Sequence, residues 1–136
     1  KRSVYNEPVD ALIYLLTVAL GFSAIENVLF LWGAAQNGGV LESAITANMR
    51  FFGATLLHTV SSGVVGASIA LSFFHKERQH RNIIGGLLLA TILHGAFNTL
   101  IIYSGSVGSI FKVFSVIWTL VIILIFVFEK VKKIHS

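Results

Sequence analysis

Five polar side chains lie inside long apolar stretches of the sequence: Glu26, Asn27, His58, His94 and Asn98. A carboxylate and two imidazoles can bind a divalent metal ion such as zinc and activate water. The same groups can also act without a metal, with the carboxylate as general base and the His and Asn side chains as donors to a developing oxyanion. The spacing of these residues leaves both chemistries open. Cysteine is absent, which excludes thiolate chemistry.

The stretches that carry these residues indicate an integral membrane protein. The 136-residue chain is 55% hydrophobic and 12% charged, and its mean hydropathy is +0.83, whereas a soluble domain usually has about 25% charged residues. A bilayer core of about 30 Å needs about 20 residues of helix, and the stretches are too long and too uniformly apolar for strands of a barrel. We therefore predict an all-α fold, one transmembrane domain over residues 1–136 that forms a four-helix bundle. Its helices are predicted at residues 9–35, 47–74, 83–103 and 107–128.

Short connections should make consecutive helices antiparallel neighbours. Turn signals and charges mark these connections at residues 36–43, which contain Asn37-Gly38-Gly39, at residues 75–82 and at residues 104–106.

The basic residues predict the orientation of the bundle. Eight of the ten Lys and Arg residues fall on one side of a four-span arrangement, and only Arg50 and Lys112 fall on the other. Because basic residues concentrate on the cytoplasmic side, both termini and residues 75–82 are predicted to be cytoplasmic. The positive charge is thus explained by the orientation of the protein in the membrane. The lipid bilayer is the expected partner, and no nucleic-acid partner is expected.

The polar residues should face one another across three helices. An ionisable side chain in mid-membrane costs about 2.5 to 3.5 kcal/mol on insertion scales, so such residues usually face the bundle interior and mark function. Thr55 shares a helix face with His58, and Thr91 and Asn98 share one with His94. We expect Glu26, His58, His94 and Asn98 to meet in one cavity in the non-cytoplasmic half of the membrane.

Other interpretations of the same residues stay open. His58 and His94 could be axial ligands of a b-type haem, although Glu26 has no evident purpose there. Alternatively, the polar side chains could join helices in a non-catalytic binding or assembly subunit.

Three motifs in order resemble the PrsW family of intramembrane proteases, within the CAAX-protease and bacteriocin-processing superfamily. The run 7–14 followed by 21–27 resembles its "EP-x-DG-x-x-Y … GF-x-x-x-EN" signature. Arg50 with His58 resembles the second block of the family, and His94-Gly95-x-x-Asn98 resembles the third. The resemblance covers essentially the whole chain.

The resemblance implies an enzyme, a peptidase of the membrane that cleaves membrane-anchored protein substrates. In bacteria the typical substrate is an anti-sigma factor, cut on its non-cytoplasmic side, and a bacterial or archaeal cell membrane is the implied location. By position, Glu26, His58, His94 and Asn98 would be active-site residues, and Asn27 and Arg50 would support them. Glu26, His58 and His94 are the candidate ligands if a divalent metal is used.

One departure from the family pattern concerns an EExxK element on a preceding helix, whose glutamates are thought to activate water. No such pair occurs in these 136 residues. Because the chain also begins with Lys1, we expect it to be the C-terminal part of a larger membrane protease with little or no activity by itself.

Overall fold

Four α-helices build the described part of the protein. The computed structural model describes residues 5–103 and 107–134 and is 90% helical, with no strand in those residues. The helices are α1 (Pro8–Arg50), α2 (Leu56–Ala70), α3 (Lys76–Ile102) and α4 (Val107–Val131), and a π-helical turn, Phe51–Thr55, joins α1 to α2.

The described residues contain four stretches long and apolar enough to cross a membrane, the second of which combines the π-helical turn with α2. These stretches are Pro8–Gln36, Phe51–Ala70, Lys76–Leu100 and Phe111–Val131. Large apolar side chains point outward along them, for example Val18, Ile25 and Phe126, which are 66%, 67% and 70% exposed. Such a surface is compatible with lipid rather than water. The predicted all-α arrangement of four spans is confirmed.

Local sequence determines where α1 begins. Pro8 occupies the first turn, where its missing N–H is not needed. The Asp10 carboxylate accepts hydrogen bonds from the backbone N–H groups of Asn6 and Glu7, at 3.0 and 2.9 Å. These bonds satisfy donors that the helix itself leaves unpaired.

A single glycine interrupts α1. Gly39 has φ 73° and ψ −165°, a conformation that side-chain-bearing residues rarely adopt, while the backbone on both sides is helical. Past this break the chain returns along its own first part. Gly66 of α2 packs against Leu12, and His58 of α2 meets Glu26, so the two spans are antiparallel.

Helix α2 lies between the other three helices. On one side His58 and Ser68 contact α3 near His94 and Gly86, which makes α2 and α3 antiparallel. On another side, Gly53 and Gly63 face Phe114 and Leu124 of α4, so α2 and α4 are parallel. The central position of α2 explains why it is the most buried of the four spans.

Small residues let these helices approach closely. A Cβ atom on Gly66 would lie 3.0 Å from the Leu12 Cα atom, which is backbone and cannot rotate away. Around this contact Ala11, Leu12, Ala67, Ala70 and Val131 form one buried cluster. A second buried cluster joins α2, α3 and α4 through Leu57, Phe97, Val113 and Ile117.

Two predicted connections and one predicted helix end differ from the structure. The connection expected at residues 36–43 is helical on both sides of Gly39. The charged segment expected as a loop at residues 75–82 is helical from Lys76 onward, because Lys, Glu, Arg and Gln are good helix formers and can extend a helix past the membrane. Helix α2 accordingly ends at Ala70, before the predicted residue 74. The predicted turn at residues 104–106 lies outside the described residues.

Candidate functional site

Three of the predicted site residues lie at one level of the bundle. Glu26 lies ten residues before the end of the first span at Gln36, His58 seven residues after the second span begins at Phe51, and His94 six residues before the third ends at Leu100. At 1.5 Å per residue they are about 9 to 15 Å from that end of the spans. All three are thus in the half of the membrane nearer to Gly39.

Glu26 and His58 form a hydrogen-bonded pair between α1 and α2. The His58 Nε2 atom lies 2.9 Å from the Glu26 Oε2 atom, and the two side chains are 13% and 30% exposed respectively. Partial burial strengthens this interaction, because little water competes for either group. The pair can therefore hold a proton between two helices.

Aromatic contacts fix the His58 ring from two other directions. The His94 ring lies 5.2 Å from it, centroid to centroid, with the planes inclined by 51°. The Phe22 ring of α1 meets the His58 ring edge-on at 5.3 Å and 71°. Glu26, His58 and His94 are thus brought together as predicted from the sequence, although His94 contacts His58 and not the carboxylate directly.

A hydroxyl and amide cluster lies beside this pair. Thr55 Oγ1 accepts hydrogen bonds from Ser23 Oγ at 2.9 Å and from Asn27 Nδ2 at 3.0 Å. Ser23 is one turn before Glu26 and Asn27 is next to it, while Thr55 is one turn before His58. The cluster therefore ties α1 to α2 at the height of the pair, and it includes Asn27.

The π-helical turn ends at Thr55. A π-helical turn adds one residue to a helical turn and is frequent at functional sites. Here it rotates the residues that follow relative to those that precede it, so that Thr55 and His58 both face α1.

An open groove between α2 and α3 leads to the two histidines. Its volume is about 460 Å³, and it is lined by His58, Ser61, Ser62, Leu87, Ala90, Thr91, His94 and Gly95. His58 is five residues from Gly63, which faces Leu124 of α4. Five residues rotate a helix position by about 140°, so the groove opens on the side of α2 away from α4.

Asn98 stands apart from this cluster. Asn98, one turn beyond His94 on α3, is exposed and is not among the residues that line the groove. Arg50 is the last residue of α1, and its side chain lies outside the described part of the structure.

Comparison with known proteins agrees with the motifs. The model of the PrsW family of intramembrane metalloproteases matches residues 1–128. The chain belongs to the PrsW family. It is 29% identical over 98 residues to a protein named Protease PrsW from Geobacillus kaustophilus (strain HTA426), an alignment that covers 72% of this chain. The same alignment spans 40% of that relative's length. No solved structure matches the chain.

The description of the PrsW family as metalloproteases implies a metal ion. The geometry of Glu26, His58 and His94 can be compared with that of a zinc site. Two imidazoles and one carboxylate form the protein ligand set of several catalytic zinc sites. Two ligands of one tetrahedral zinc lie about 3.3 Å apart when bonds are about 2.0 to 2.1 Å long. The 2.9 Å between His58 Nε2 and Glu26 Oε2 is close to that separation.

The third ligand is less well placed. Among the described residues, no three His, Asp or Glu side chains are grouped to hold one ion. The set therefore fits a metal in its chemistry and in the Glu26–His58 separation, and the His94 ring would have to turn from its contact with His58 to complete it.

A haem between the two histidines is not favoured by this geometry. Axial ligation places a porphyrin plane between the two imidazoles, and the His58 and His94 rings contact each other directly at 5.2 Å.

Sequence reasoning missed part of the supporting cluster. Ser23 was overlooked because a serine in a transmembrane helix often bonds only to its own backbone. Its position one turn before Glu26 was the available signal. Thr55 was noted as sharing a face with His58, but its bonds to α1 depend on the relative rotation of two helices.

Proposed function

We propose that this chain is the membrane-embedded core of a PrsW-type peptidase that hydrolyses peptide bonds in membrane-anchored proteins, with Glu26, His58 and His94 at its active centre. The observation that carries the proposal is the Glu26–His58 hydrogen bond, with the His94 ring against it, at one level of three spans. An acid and two imidazoles in a partly dry site are the groups that peptide hydrolysis needs.

Without a metal, Glu26 is the general base. It takes a proton from water as the water oxygen attacks the scissile carbonyl carbon, and the proton passes to the amide nitrogen as the C–N bond breaks. His58 orients the Glu26 carboxylate through their hydrogen bond. His94 donates a hydrogen bond to the oxyanion, and Asn98 contacts the substrate at the outer edge.

With a metal, Glu26, His58 and His94 are its ligands. A bound divalent ion such as zinc would polarise the scissile carbonyl and lower the pKa of water. Asn98 then keeps its substrate contact, and Asn27 keeps α1 in register through Thr55. The chelation experiment below distinguishes Glu26 as general base from Glu26 as metal ligand.

The groove between α2 and α3 supports access from within the membrane. It opens away from α4 and is bordered by the exposed apolar faces of α3, so a single transmembrane segment can approach from the lipid. A membrane-anchored protein is therefore the substrate class, and an anti-sigma factor is the specific substrate that we propose.

The side of cleavage follows from charge. With both termini and residues 75–82 on the cytoplasmic side, the end of the bundle that contains Gly39 is non-cytoplasmic. Cleavage is then proposed near the non-cytoplasmic face of a bacterial cell membrane.

Cleavage is proposed to need a further element. The EExxK pair that the family uses is absent from these 136 residues, and the chain spans 40% of the relative's length. We expect the 136-residue chain alone to have little or no activity, and a segment that carries EExxK, fused or added in trans, to restore it.

The test is cleavage of a single-span reporter protein, tagged at both ends and placed in liposomes with the chain and the EExxK segment. Glu26→Gln and His94→Ala should each lower the cleavage rate by about 10³ or more. Ser115→Ala is the matched control, because Ser115 is exposed on α4 and bonds only to the Phe111 carbonyl of its own helix. Full activity of both site variants, or no cleavage with the restored segment, would contradict the proposal and favour an assembly subunit.

Chelation separates the two mechanisms. If 1,10-phenanthroline abolishes cleavage and added Zn²⁺ restores it, the metal-dependent mechanism, in which Glu26, His58 and His94 would be the ligands, is supported. If cleavage continues unchanged, Glu26 is the base.

A further inference from the structure

The Ser61 hydroxyl of α2 is unusual among the buried polar groups. Ser61 is 9% exposed, and its Oγ atom is the single buried side-chain N or O atom without a hydrogen-bond partner among the described residues. Two other partly buried hydroxyls of α2 are satisfied by backbone carbonyls one turn earlier. Thr59 donates to the Thr55 carbonyl at 2.9 Å, and Ser68 donates to the Val64 carbonyl at 2.8 Å. Ser61 follows a different pattern on the same helix.

An unpaired buried hydroxyl is unfavourable, and it is more so in a membrane where water is scarce. The cost of this unpaired hydroxyl would be offset if a ligand accepted a hydrogen bond from it. Removing it should not weaken the fold.

The position of Ser61 indicates what binds. It lines the groove that contains both histidines, together with Ser62 and Thr91. Ser61 is three residues after His58, which is about 4.5 Å along the helix axis. An extended peptide advances about 3.3 Å per residue. The Oγ atom itself is buried, so the hydroxyl reaches the groove by rotation about χ1. A peptide carbonyl one or two residues from a bond held at His58 then falls within its reach.

Peptide hydrolysis in a membrane also exposes groups that can accept a hydrogen bond from Ser61. A transmembrane helix must unwind locally to expose its scissile carbonyl, and the freed backbone groups have no water to bond to. A fixed donor beside the active centre stabilises such an unwound segment.

We propose that Ser61 is a substrate-binding residue, whose hydroxyl donates a hydrogen bond to a backbone carbonyl of the unwound substrate beside the scissile bond. This inference rests on the proposed peptidase function and adds a binding residue on the cytoplasmic side of His58. The partner is a backbone carbonyl, so the contact is independent of the substrate side chain.

Kinetics of reporter cleavage form the first test. A contact that is equally strong in the bound substrate and in the transition state changes KM and not kcat. Ser61→Ala should raise KM about tenfold with kcat within about threefold of the unsubstituted protein. Ser61→Thr keeps the hydroxyl and should recover most of the affinity. Ser72→Ala is the control, since Ser72 is also buried, at 1% exposed, but donates to the Ser68 and Ile69 carbonyls.

Cross-linking forms a second test that needs no cleavage. In the Glu26→Gln background, Ser61→Cys is combined with a series of single cysteines along the span of the same reporter, and disulfides are formed by oxidation. Because the chain has no native cysteine, every cross-link is assignable. Cross-links should be confined to a few adjacent reporter positions, and Ser115→Cys on α4 should give none at those positions.

The outcomes separate the inference from the proposed function. Confined cross-links together with a KM effect support it, and an unchanged melting temperature of Ser61→Ala excludes misfolding. Confined cross-links with unimpaired cleavage by Glu26→Gln would support Ser61 as a binding residue while contradicting the active centre. Kinetics of Ser61→Ala equal to those of Ser72→Ala, or cross-links no more confined than those of Ser115→Cys, would overturn the inference.

Discussion

At the residue scale, His58 joins the elements of the site. Its Nε2 atom is bonded to Glu26 of α1, and its ring contacts His94 of α3 and Phe22 of α1. These contacts restrict the imidazole to one orientation, which a group that exchanges a proton or binds a metal requires. The Thr55 cluster one turn away keeps α1 and α2 in the register that makes the contacts possible.

Removing the Thr55 hydroxyl should therefore reduce activity. In Thr55→Ala both Ser23 Oγ and Asn27 Nδ2 lose this acceptor. Ser23 is 1% exposed, and a buried donor left unpaired costs about 1 to 3 kcal/mol. If this free energy disfavours the arrangement in which Glu26 and His58 are aligned, the rate of reporter cleavage should fall about 10- to 100-fold. Thr55→Ser keeps the oxygen and should restore the rate to within about threefold.

The matched control for this prediction is Thr59→Ala. The Thr59 hydroxyl is partly buried one turn further along α2 but donates to the Thr55 carbonyl of its own helix. Equal cleavage rates of Thr55→Ala and Thr59→Ala would show that the cluster does not position the site.

At the element scale, the central position of α2 depends on the absence of side chains at its helix contacts. Gly66 packs against the backbone of α1, and Gly53 lies against the Phe114 ring of α4. In a membrane, helices associate through close packing rather than through exclusion of water, so such contacts determine their spacing. That spacing in turn decides whether Glu26 reaches His58.

Gly66→Ala should lower the stability of the bundle. The new methyl group would lie 3.0 Å from the Leu12 Cα atom and 3.2 Å from the Ala11 carbonyl oxygen, so the α1 backbone must move. Overpacking of this kind typically costs about 1 to 3 kcal/mol in the free energy of unfolding. Unfolding of the purified protein in detergent micelles measures the change.

Gly21→Ala provides the comparison. No atom lies within 4 Å of a Cβ at Gly21, and alanine is the better helix former, so stability should be unchanged or raised by up to about 1 kcal/mol. A Gly66→Ala variant as stable as Gly21→Ala would mean that the α1–α2 contact is not tight.

At the scale of the whole molecule, charge and the chain reversal at Gly39 together support the orientation that we propose for the site. Lys76 and Arg78 lie at the start of α3, and Lys130 and Lys132 lie at the end of α4. Antiparallel packing brings these segments to the same end of the bundle, opposite Gly39. The basic residues therefore lie together at one end of the bundle, and this supports the prediction that this end is cytoplasmic.

Cysteine labelling tests this orientation. The native chain has no cysteine, so Val40→Cys and Glu77→Cys can be labelled without background. Val40 is 90% exposed and lies next to the break in α1, and the Glu77 side chain is 66% exposed. A membrane-impermeant maleimide should label Val40→Cys in intact cells and Glu77→Cys only in inverted vesicles. The reverse pattern would move the proposed cleavage to the cytoplasmic face.

The sequence alone determined the helical class, the number of spans and the presence of a carboxylate and two histidines at one depth. These features are predictable because lipid forces every backbone group to be satisfied within its own segment, so local composition decides the structure. The charged start of α3 was assigned to a loop because composition does not show where a helix leaves the membrane.

Only the tertiary structure decided which side chains meet. The pairing of Glu26 with His58, the Thr55 cluster with Ser23 and Asn27, and the unpaired Ser61 hydroxyl all depend on the rotation and register of separate helices. Those quantities come from contacts far apart in the chain, such as Gly66 against Leu12, and from the reversal at Gly39. Rotation and register are determined by how the helices pack together, and the residue types and spacing along one helix do not specify that packing.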